Sequence, residues 1–474
     1  MNPLHGKATM SATRQMNPIE MGDPEMFFEP DGAVFKGAYA NMNFGALGLQ
    51  GQDLPLEYTG ARDEIGACDR TAWLGLGLNC SSMTVCDISG TDAPELLESV
   101  CVNAGFGEMK PGSSKHALLC NPKGELIADG VCMYRGDGVY RTYALAPVIE
   151  YFIDNSGLDV QHERVTDEFF IQIDGPKALE ILEDASRTDL HDIRFARNRQ
   201  VEFAGHPVAV HRLGMSGHLA YELHGREEDA EEVYATIRES LEKFDGRPLG
   251  FRHYCTLNHT PAGYPNQNIH YDFAYYNWDE GFAQYARENC PPQMGLGSAY
   301  EDQDAYHVTP YDVDWGYLVN FDHEFRGKEA LQEIAANPPR KMVTLEWNPD
   351  DVAEVFKAQF LGDDFVNYEP IEPYNDSYNA SSRGITVGSW VLDGEKKVGL
   401  ATGRCYAFNH HTMISLANIG KEYAEEGTEL AVLWGGEGYE KARIRAKVAQ
   451  FPYYQGEYRN ETFDTEKIPH PSFD

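Results

Sequence analysis

Between Lys115 and Tyr143 apolar and polar positions alternate with a period of two, broken at Asn121-Pro122-Lys123-Gly124 and again at Arg135-Gly136-Asp137-Gly138. Alternation interrupted by such turn formers predicts a three-strand meander. Upstream, Met83 to Ile88 reads as a strand, and TDAPELLESVCV as a helix with Thr91 or Asp92 as its cap and Pro94 in its first turn. From Phe169 to Leu182 the period changes from strand to helix at Gly175-Pro176, and Val201 to Leu223 predicts a hairpin around Gly214-Met215-Ser216-Gly217. The segment AEEVYATIRESLEKF is a further helix. After Leu331 the stretches KMVTLEW, VGSWVLDG, KKVGLATGRCYAF, MISLANI, ELAVLW and RIRAKVAQF are short strand candidates with few helices among them. They predict a separate barrel or sandwich over 338–474, after a main region over 31–337 and a loosely held, methionine-rich arm over 1–30. Strands and helices follow one another without a regular βαβ alternation, so the expected class is α+β.

Between the two regions lies Leu249 to Tyr271, LGFRHYCTLNHTPAGYPNQNIHY. It holds three histidines, three tyrosines, three asparagines and one arginine in 23 positions with no acid. Pro261, Gly263 and Pro265 rule out a continuous helix. The stretch is either a turn-rich connection that gathers hydrogen-bonding groups at a shared place or an aromatic-rich surface loop. Further upstream, Gly32 to Tyr58 is full of glycine and aromatics and predicts strand and loop. Its Tyr39 is either a pocket residue or a packing one.

The chain has 75 acidic against 39 basic residues in 474, a net charge of −36, with no basic stripe to displace phosphate counterions. Nucleic-acid binding is therefore not expected. No apolar run is long enough to span a membrane and the opening lacks the layout of a secretory signal, so a cytoplasmic protein is expected. Nine cysteines without a CxxC pair point to free buried thiols rather than a disulfide framework or a structural zinc site. There is no GxGxxG opening a helix, no Walker loop, no HExxH and no GxSxG. His410 and His411 are adjacent, and on a strand they would point to opposite faces, so no metal site is expected from them.

Four segments carry a resemblance. RLGMSGHLAYEL (Arg212 to Leu223), VNFDHEFRGKEAL (Val319 to Leu331), Gly124 to Val131, and RIRAKVAQFPY (Arg443 to Tyr453) resemble, in order, signatures of the glycine-cleavage T-protein (aminomethyltransferase) superfamily. PYDVDWGYLVNFDHEF, VTLEWNPDD and GTELAVLWGG are similar to its tetrahydrofolate-dependent O-demethylases, which act on lignin-derived methoxyarenes such as vanillate, 3-O-methylgallate and syringate. The resemblance implies a folate-binding region of two subdomains over 31–337 and a C-terminal β-barrel, arranged as a cloverleaf. It implies tetrahydrofolate as methyl acceptor and a small methoxyarene as the partner molecule.

The resemblance also assigns roles. Tyr254 matches a tyrosine beside the substrate, suited as general acid because its unperturbed pKa of about 10 lies near that of a phenol product. Glu222 matches the glutamate that accepts hydrogen bonds from the pterin, Arg252 the arginine near the benzoyl-glutamate carboxylates, and Tyr264 an aromatic that stacks on the pterin. Tyr39 and Arg141 are expected to bind substrate. Two departures matter. Ala128 replaces the first acid of the family's aspartate pair, leaving Asp129, which argues against glycine cleavage. Leu145 stands where an arginine precedes the Ala146-Pro147 pair in vanillate-type enzymes, which argues against a carboxylate-bearing arene. The competing expectations are a demethylase of a small sulfonium or quaternary ammonium compound, such as dimethylsulfoniopropionate, and a folate-binding regulatory protein without transfer activity.

Overall fold

A computed structural model describes residues 39–42, 52–55, 58–76, 85–250, 253, 259–371 and 385–473, the first two segments as strands only. Along the chain run β1 (Tyr39–Met42), β2 (Gln52–Pro55), β3 (Trp73–Leu76), β4 (Cys86–Ser89), β5 (Ser113–Cys120), β6 (Leu126–Gly136), β7 (Val139–Tyr143), β8 (Gln161–Arg164), β9 (Glu168–Asp174), β10 (Asn198–Phe203), β11 (His206–His211), β12 (Ala220–Arg226), β13 (Arg247–Leu249) and β14 (Met294–Gly297). The last third adds β15 (Arg340–Trp347), β16 (Ile385–Asp393), β17 (Lys396–Ala407), β18 (Thr412–Gly420), β19 (Glu429–Trp434) and β20 (Ala442–Ala449). The first pair forms a small ribbon. The others make a five-stranded sheet, β5-β6-β7-β4-β8, a six-stranded sheet, β10-β11-β12-β9-β3-β13, and a sheet ordered β14-β16-β17-β18-β15-β20-β19. Pairing of β16 with β19 closes this last sheet into a six-strand barrel.

The meander and the hairpin follow the sequence pattern. The chain turns at Gly124, whose φ of 79° is open to glycine, and β11 pairs with β12 across the Gly214 to Gly217 turn. All six barrel strands are present where alternation placed them. The helix Ala93–Val100 has Asp92 at its cap position, but the carboxylate accepts from the Asp159 backbone N at 2.9 Å instead of from the helix. Helices Ala61–Arg70 and Pro349–Ala358 were passed over. The second had a visible signal, since Asn348 accepts from the N–H groups of Asp350 and Asp351, with Pro349 and two acids in the first turn. His410 and His411 lie in the turn joining β17 to β18, not on a strand. There His411 Nδ1 meets the Tyr406 hydroxyl at 3.3 Å and His410 packs on Tyr453.

The five- and six-stranded sheets each have one apolar face covered by helices. Helices Ala93–Val100 and Val148–Ser156 pack on Ile88, Ala117, Leu119 and Cys132 of the five-stranded sheet. Helices Ala178–Ser186 and Ala230–Lys243 pack on Ile171, Ile173, Tyr221 and Leu223 of the six-stranded one. Cross-strand partners point to one side of a sheet. The other side of the six-stranded sheet therefore carries the row His211, Glu222, Gln172, and that of the five-stranded sheet the row His116, Val131, Tyr143. These two inner faces meet. Ser114 Oγ lies 2.8 Å from His211 Nε2, and the Tyr143 and His224 rings are 4.8 Å apart.

The barrel strands begin at Arg340, and β14, which precedes them in the chain, joins their sheet. After β20 the chain leaves the barrel. Arg212 donates to the Asn460 side chain and to the carbonyls of Asn460 and Phe463, and Phe463 and Ile468 enter the core of the six-stranded sheet. The seven described cysteines are free and buried, as the absence of a pairing pattern implied; Cys80 and Cys255 lie outside the described residues. No described helix is long and apolar enough to cross a membrane.

One ion-pair group ties the two sheets together. Arg141 on β7 donates from Nε and Nη2 to both oxygens of Asp87 on β4, at 2.7 and 2.6 Å, and from Nη1 to Glu168 on β9 at 2.7 Å. Its side chain is 11% exposed, so removing it strands two carboxylates in a poorly solvated place. Arg141→Met is expected to lower the free energy of the first unfolding transition in urea by roughly 3 kcal/mol. Arg141→Lys, which keeps the charge but loses the fork, is expected to fall between the two.

Candidate functional site between the two sheets

The inner faces are polar where a strand buried on both sides would ordinarily be apolar. On β9, Phe169, Ile171 and Ile173 face the helices while Phe170, Gln172 and Asp174 face inward. Gln172 Nε2 donates to Asp174 Oδ1 at 2.9 Å, and burial pushes the Asp174 carboxyl well above the usual range against the hydrogen bonds from Ser216 and Gln172. On β12 the alternation places Glu222 and His224 on the same inward side. Glu222 Oε2 lies 3.8 Å from His211 Nδ1 and 3.6 Å from His224 Nε2. Both imidazoles are buried, with side chains 1% and 3% exposed, and His211 Nδ1 and both ring nitrogens of His224 have no hydrogen-bond partner. Burial, with His224 and Arg197 nearby, holds His211 down to about 3, so it is neutral at physiological pH.

Across the gap, Asp129 on β6 accepts from the Tyr271 hydroxyl at 2.7 Å and lies 3.3 Å from His116 Nε2. The Trp315 ring packs edge-on against His116. Tyr143 reaches Glu168 with its hydroxyl at 3.4 Å and lays its ring against His224, while Phe170 flanks the same imidazole. The inter-sheet layer is thus acceptor-rich, with aromatic walls.

The described part of the histidine-rich stretch is buried or half-buried rather than an exposed surface loop. His259, Thr260, His270 and Tyr271 are each at most 4% exposed. Thr260 Oγ1 bonds the Gly403 carbonyl of β17 at 2.7 Å, the His270 carbonyl accepts from Thr402 at 2.9 Å, and Asn266 N donates to His270 Nδ1 at 2.9 Å. Most of these groups join the barrel to the inter-sheet region. At the front of the stretch, Gly250 N donates to Glu64 Oε2 at 2.7 Å, while Glu64 Oε1 accepts from the N–H groups of Tyr58, Thr59 and Gly60. A buried carboxylate therefore fixes both the start of helix Ala61–Arg70 and the entry to residue 251.

Of the residues singled out from sequence, Glu222 sits in the inter-sheet layer. Arg141 lies at its edge, joined to it through Glu168 and Tyr143, with its donors taken by Asp87 and Glu168. Substrate-facing donors expected of Arg141 are thus engaged internally, because the adjacent strand β4 supplies a matching carboxylate. Tyr264 is half-buried with Arg459 over its ring at 5.9 Å, and its N–H bonds the His259 carbonyl. Tyr254 and Arg252 lie outside the described residues, as does the side chain of Tyr39, which opens β1. Leu145 is fully buried beside Ala146 and Val148 in the core of the five-stranded sheet. His211, His224, Ser114 and Tyr143 were not singled out from sequence. The available signal was polar residues at every second position of otherwise apolar strands, Gln172/Asp174 in FFIQID and Glu222/His224 in AYELH.

Comparisons with known proteins bear on this arrangement. The family described as GCVT N-terminal domain matches residues 47–260. The chain is 41% identical over 446 residues to the sesamin methylene transferase of Sinomonas sp. (strain No.22), covering 91% of this chain and 98% of that one. It is 29% identical over 437 residues to the syringate O-demethylase of Sphingobium sp. (strain NBRC 103272 / SYK-6), covering 84% and 90%. The solved aminomethyltransferase T of the glycine cleavage system from Bartonella henselae superposes with a TM-score of 0.62 at 16% identity, over 86% of this chain and 94% of that one, a likeness of fold.

Burial pulls the His259 imidazole down to about 4, against the opposing pull of Asp129. Its folded pKa is depressed below the unfolded value near 6.5, so its contribution is fully present above that value and is lost as pH falls toward 4. The unfolding free energy is expected to decline over this window by up to about 1.4 kcal/mol per pH unit from this one group. His259→Gln should shallow that slope, which urea unfolding at pH 7, 6, 5 and 4 would measure.

Proposed function

The chain belongs to the aminomethyltransferase family and is an enzyme of one-carbon transfer, and we propose that it cleaves the alkyl–oxygen bond of an aromatic ether and delivers the carbon to tetrahydrofolate. With a methoxyarene, including those derived from lignin, the products are a phenol and 5-methyltetrahydrofolate. The observation that carries this reading is the acceptor-rich layer around Glu222, in a chain whose relatives are named for acting on sesamin and on syringate. Both named substrates are aryl ethers. Neither a sulfonium demethylase nor a regulatory protein is favoured by those relatives.

The layer suits a reduced pterin. Glu222 offers a carboxylate acceptor to a ligand rich in N–H donors. Tetrahydrofolate would supply N5 as the nucleophile. Glu222 would hold its donor edge, Arg252 would match the carboxylates of its glutamate tail, and Tyr264 would offer a ring face. Tyr254 would act on the other reactant. As the carbon–oxygen bond breaks, the electron pair goes to oxygen and the Tyr254 hydroxyl delivers a proton there so that a neutral phenol departs, while the proton that N5 sheds on alkylation restores the tyrosine. Tyr39 would line the arene side, and Arg141 would support that wall through its ion pairs. The buried Leu145 supplies no cation for a benzoate, which favours a neutral arene. Asp129, without a second acid at 128, is engaged by Tyr271 and His116, which disfavours the amine chemistry of glycine cleavage.

The 41% relative favours a second reading within the same chemistry, a methylenedioxyarene giving a catechol and 5,10-methylenetetrahydrofolate. One assay separates the readings: incubate the protein with tetrahydrofolate and a panel of methoxyarenes, methylenedioxyarenes and dimethylsulfoniopropionate, then identify the folate product. No one-carbon folate from any arene would sink the proposal. Tyr254→Phe is expected to cut aryl-ether turnover at least roughly 100-fold. Glu222→Gln is expected to raise the KM for tetrahydrofolate by roughly 10-fold or more while changing kcat less.

A further inference from the structure

We propose that His211, Glu222 and His224 form a binding site for a divalent transition-metal ion, with zinc the ion best matched to its donors. The three ligand atoms lie within 4.8 Å of one another, and both imidazoles converge on the single oxygen Glu222 Oε2, at 3.8 and 3.6 Å. Zinc bonds of about 2.0–2.2 Å place neighbouring ligand atoms of a tetrahedral ion roughly 3.3 Å apart, so a small closure brings these three into range.

The hydrogen bonding around the cluster prepares one ligand. Ser114 Oγ lies 2.8 Å from His211 Nε2 and 3.2 Å from the Ala196 carbonyl. With the Ser114 hydroxyl on that carbonyl, Oγ receives the Nε2–H of His211 and the Nδ1 lone pair is free for an ion next to the Glu222 carboxylate. A cation between the imidazole and the carboxylate would be met by lone pairs from both. A neutral imidazole whose outer N–H is held by a hydrogen bond is also how proteins orient metal ligands. His224 has neither ring nitrogen partnered and is walled by Tyr143 and Phe170, which exclude water from that side. Two histidines and one glutamate leave a fourth position of a tetrahedral ion open toward the inter-sheet space. Because both imidazoles meet Oε2, Glu222 Oε1 remains to accept a ligand N–H, so the ion and a pterin are compatible. Binding of the ion does not depend on the folate reading.

The full chain, stripped with a chelator and dialysed, would be titrated with Co²⁺. The expected result is a saturable visible absorption at one equivalent, displaced by Zn²⁺ and lost in His224→Ala and in His211→Ala. Ser114→Ala, which removes no ligand, should weaken Co²⁺ binding roughly 10- to 100-fold while leaving the circular dichroism unchanged. Absence of saturable absorption in the wild type would overturn the site. So would an undiminished signal in both histidine variants, or a cobalt–thiolate band, either of which puts the ion at another cluster such as Cys68, Asp69 and His218. Tetrahydrofolate binding to the metal-free wild type, read by fluorescence, reports on the folate reading separately.

Discussion

A guanidinium with little access to water is tolerable only if its charge is met, and Arg141 meets carboxylates from two different sheets. Asp87 is its neighbour within the five-stranded sheet, whereas Glu168 belongs to the six-stranded one. The pairing therefore sets how the two inner faces stand against each other. At the opposite strands of both sheets, the Ser114 to His211 hydrogen bond and the backbone bridge of Ser113 with Arg197 perform the same service with neutral groups. With the faces held at both ends, the layer between them need not be filled by apolar side chains. That is what allows Glu222, His224 and Asp129 to stay inside the molecule.

The barrel depends on this arrangement through the histidine-rich stretch. Thr260 donates to the Gly403 carbonyl of β17 and the His270 carbonyl accepts from the Thr402 hydroxyl, and Gly403 is required there. Its φ is 59°, and a Cβ would stand 2.3 Å from His270 Nε2. Tyr271, next along the chain, turns its hydroxyl to Asp129 while its carbonyl accepts from Thr386 of β16 at 3.4 Å. One residue thus touches both the inter-sheet layer and the barrel. A polar stretch with no acids can be buried in this way because many of its donors find a carbonyl, a carboxylate or a ring nitrogen rather than a like charge.

Chemistry and architecture point the same way. A layer rich in acceptors, walled by Tyr143, Phe170 and Trp315, suits a flat heterocycle with many N–H groups. The family to which the chain belongs moves one-carbon groups. A few acids, Glu222, Asp129 and Asp174 among them, lie inside the site, and the excess negative charge lies elsewhere. It resides in such exposed residues as Glu228 and Asp363, where it governs solubility.

The sequence by itself determined the elements whose period was clear: the meander from 113 to 143, the hairpin ending at Leu223, and the six barrel strands, because alternation directly encodes which side of a strand is buried. It also pointed to Glu222 and to the 249–271 stretch, through motif and composition. Helix Pro349–Ala358 was legible in its Asn348 cap, but helix Ala61–Arg70 was not, since its start is fixed by Glu64 folding back onto Tyr58, Thr59 and Gly60. Only the tertiary structure decided that Arg141 faces two carboxylates and that His211, 11 residues before Glu222, stands beside it. The physical reason is range. Periodicity reports the face on which a residue lies, whereas the group opposite it comes from another strand or another sheet, and no local pattern carries that distance.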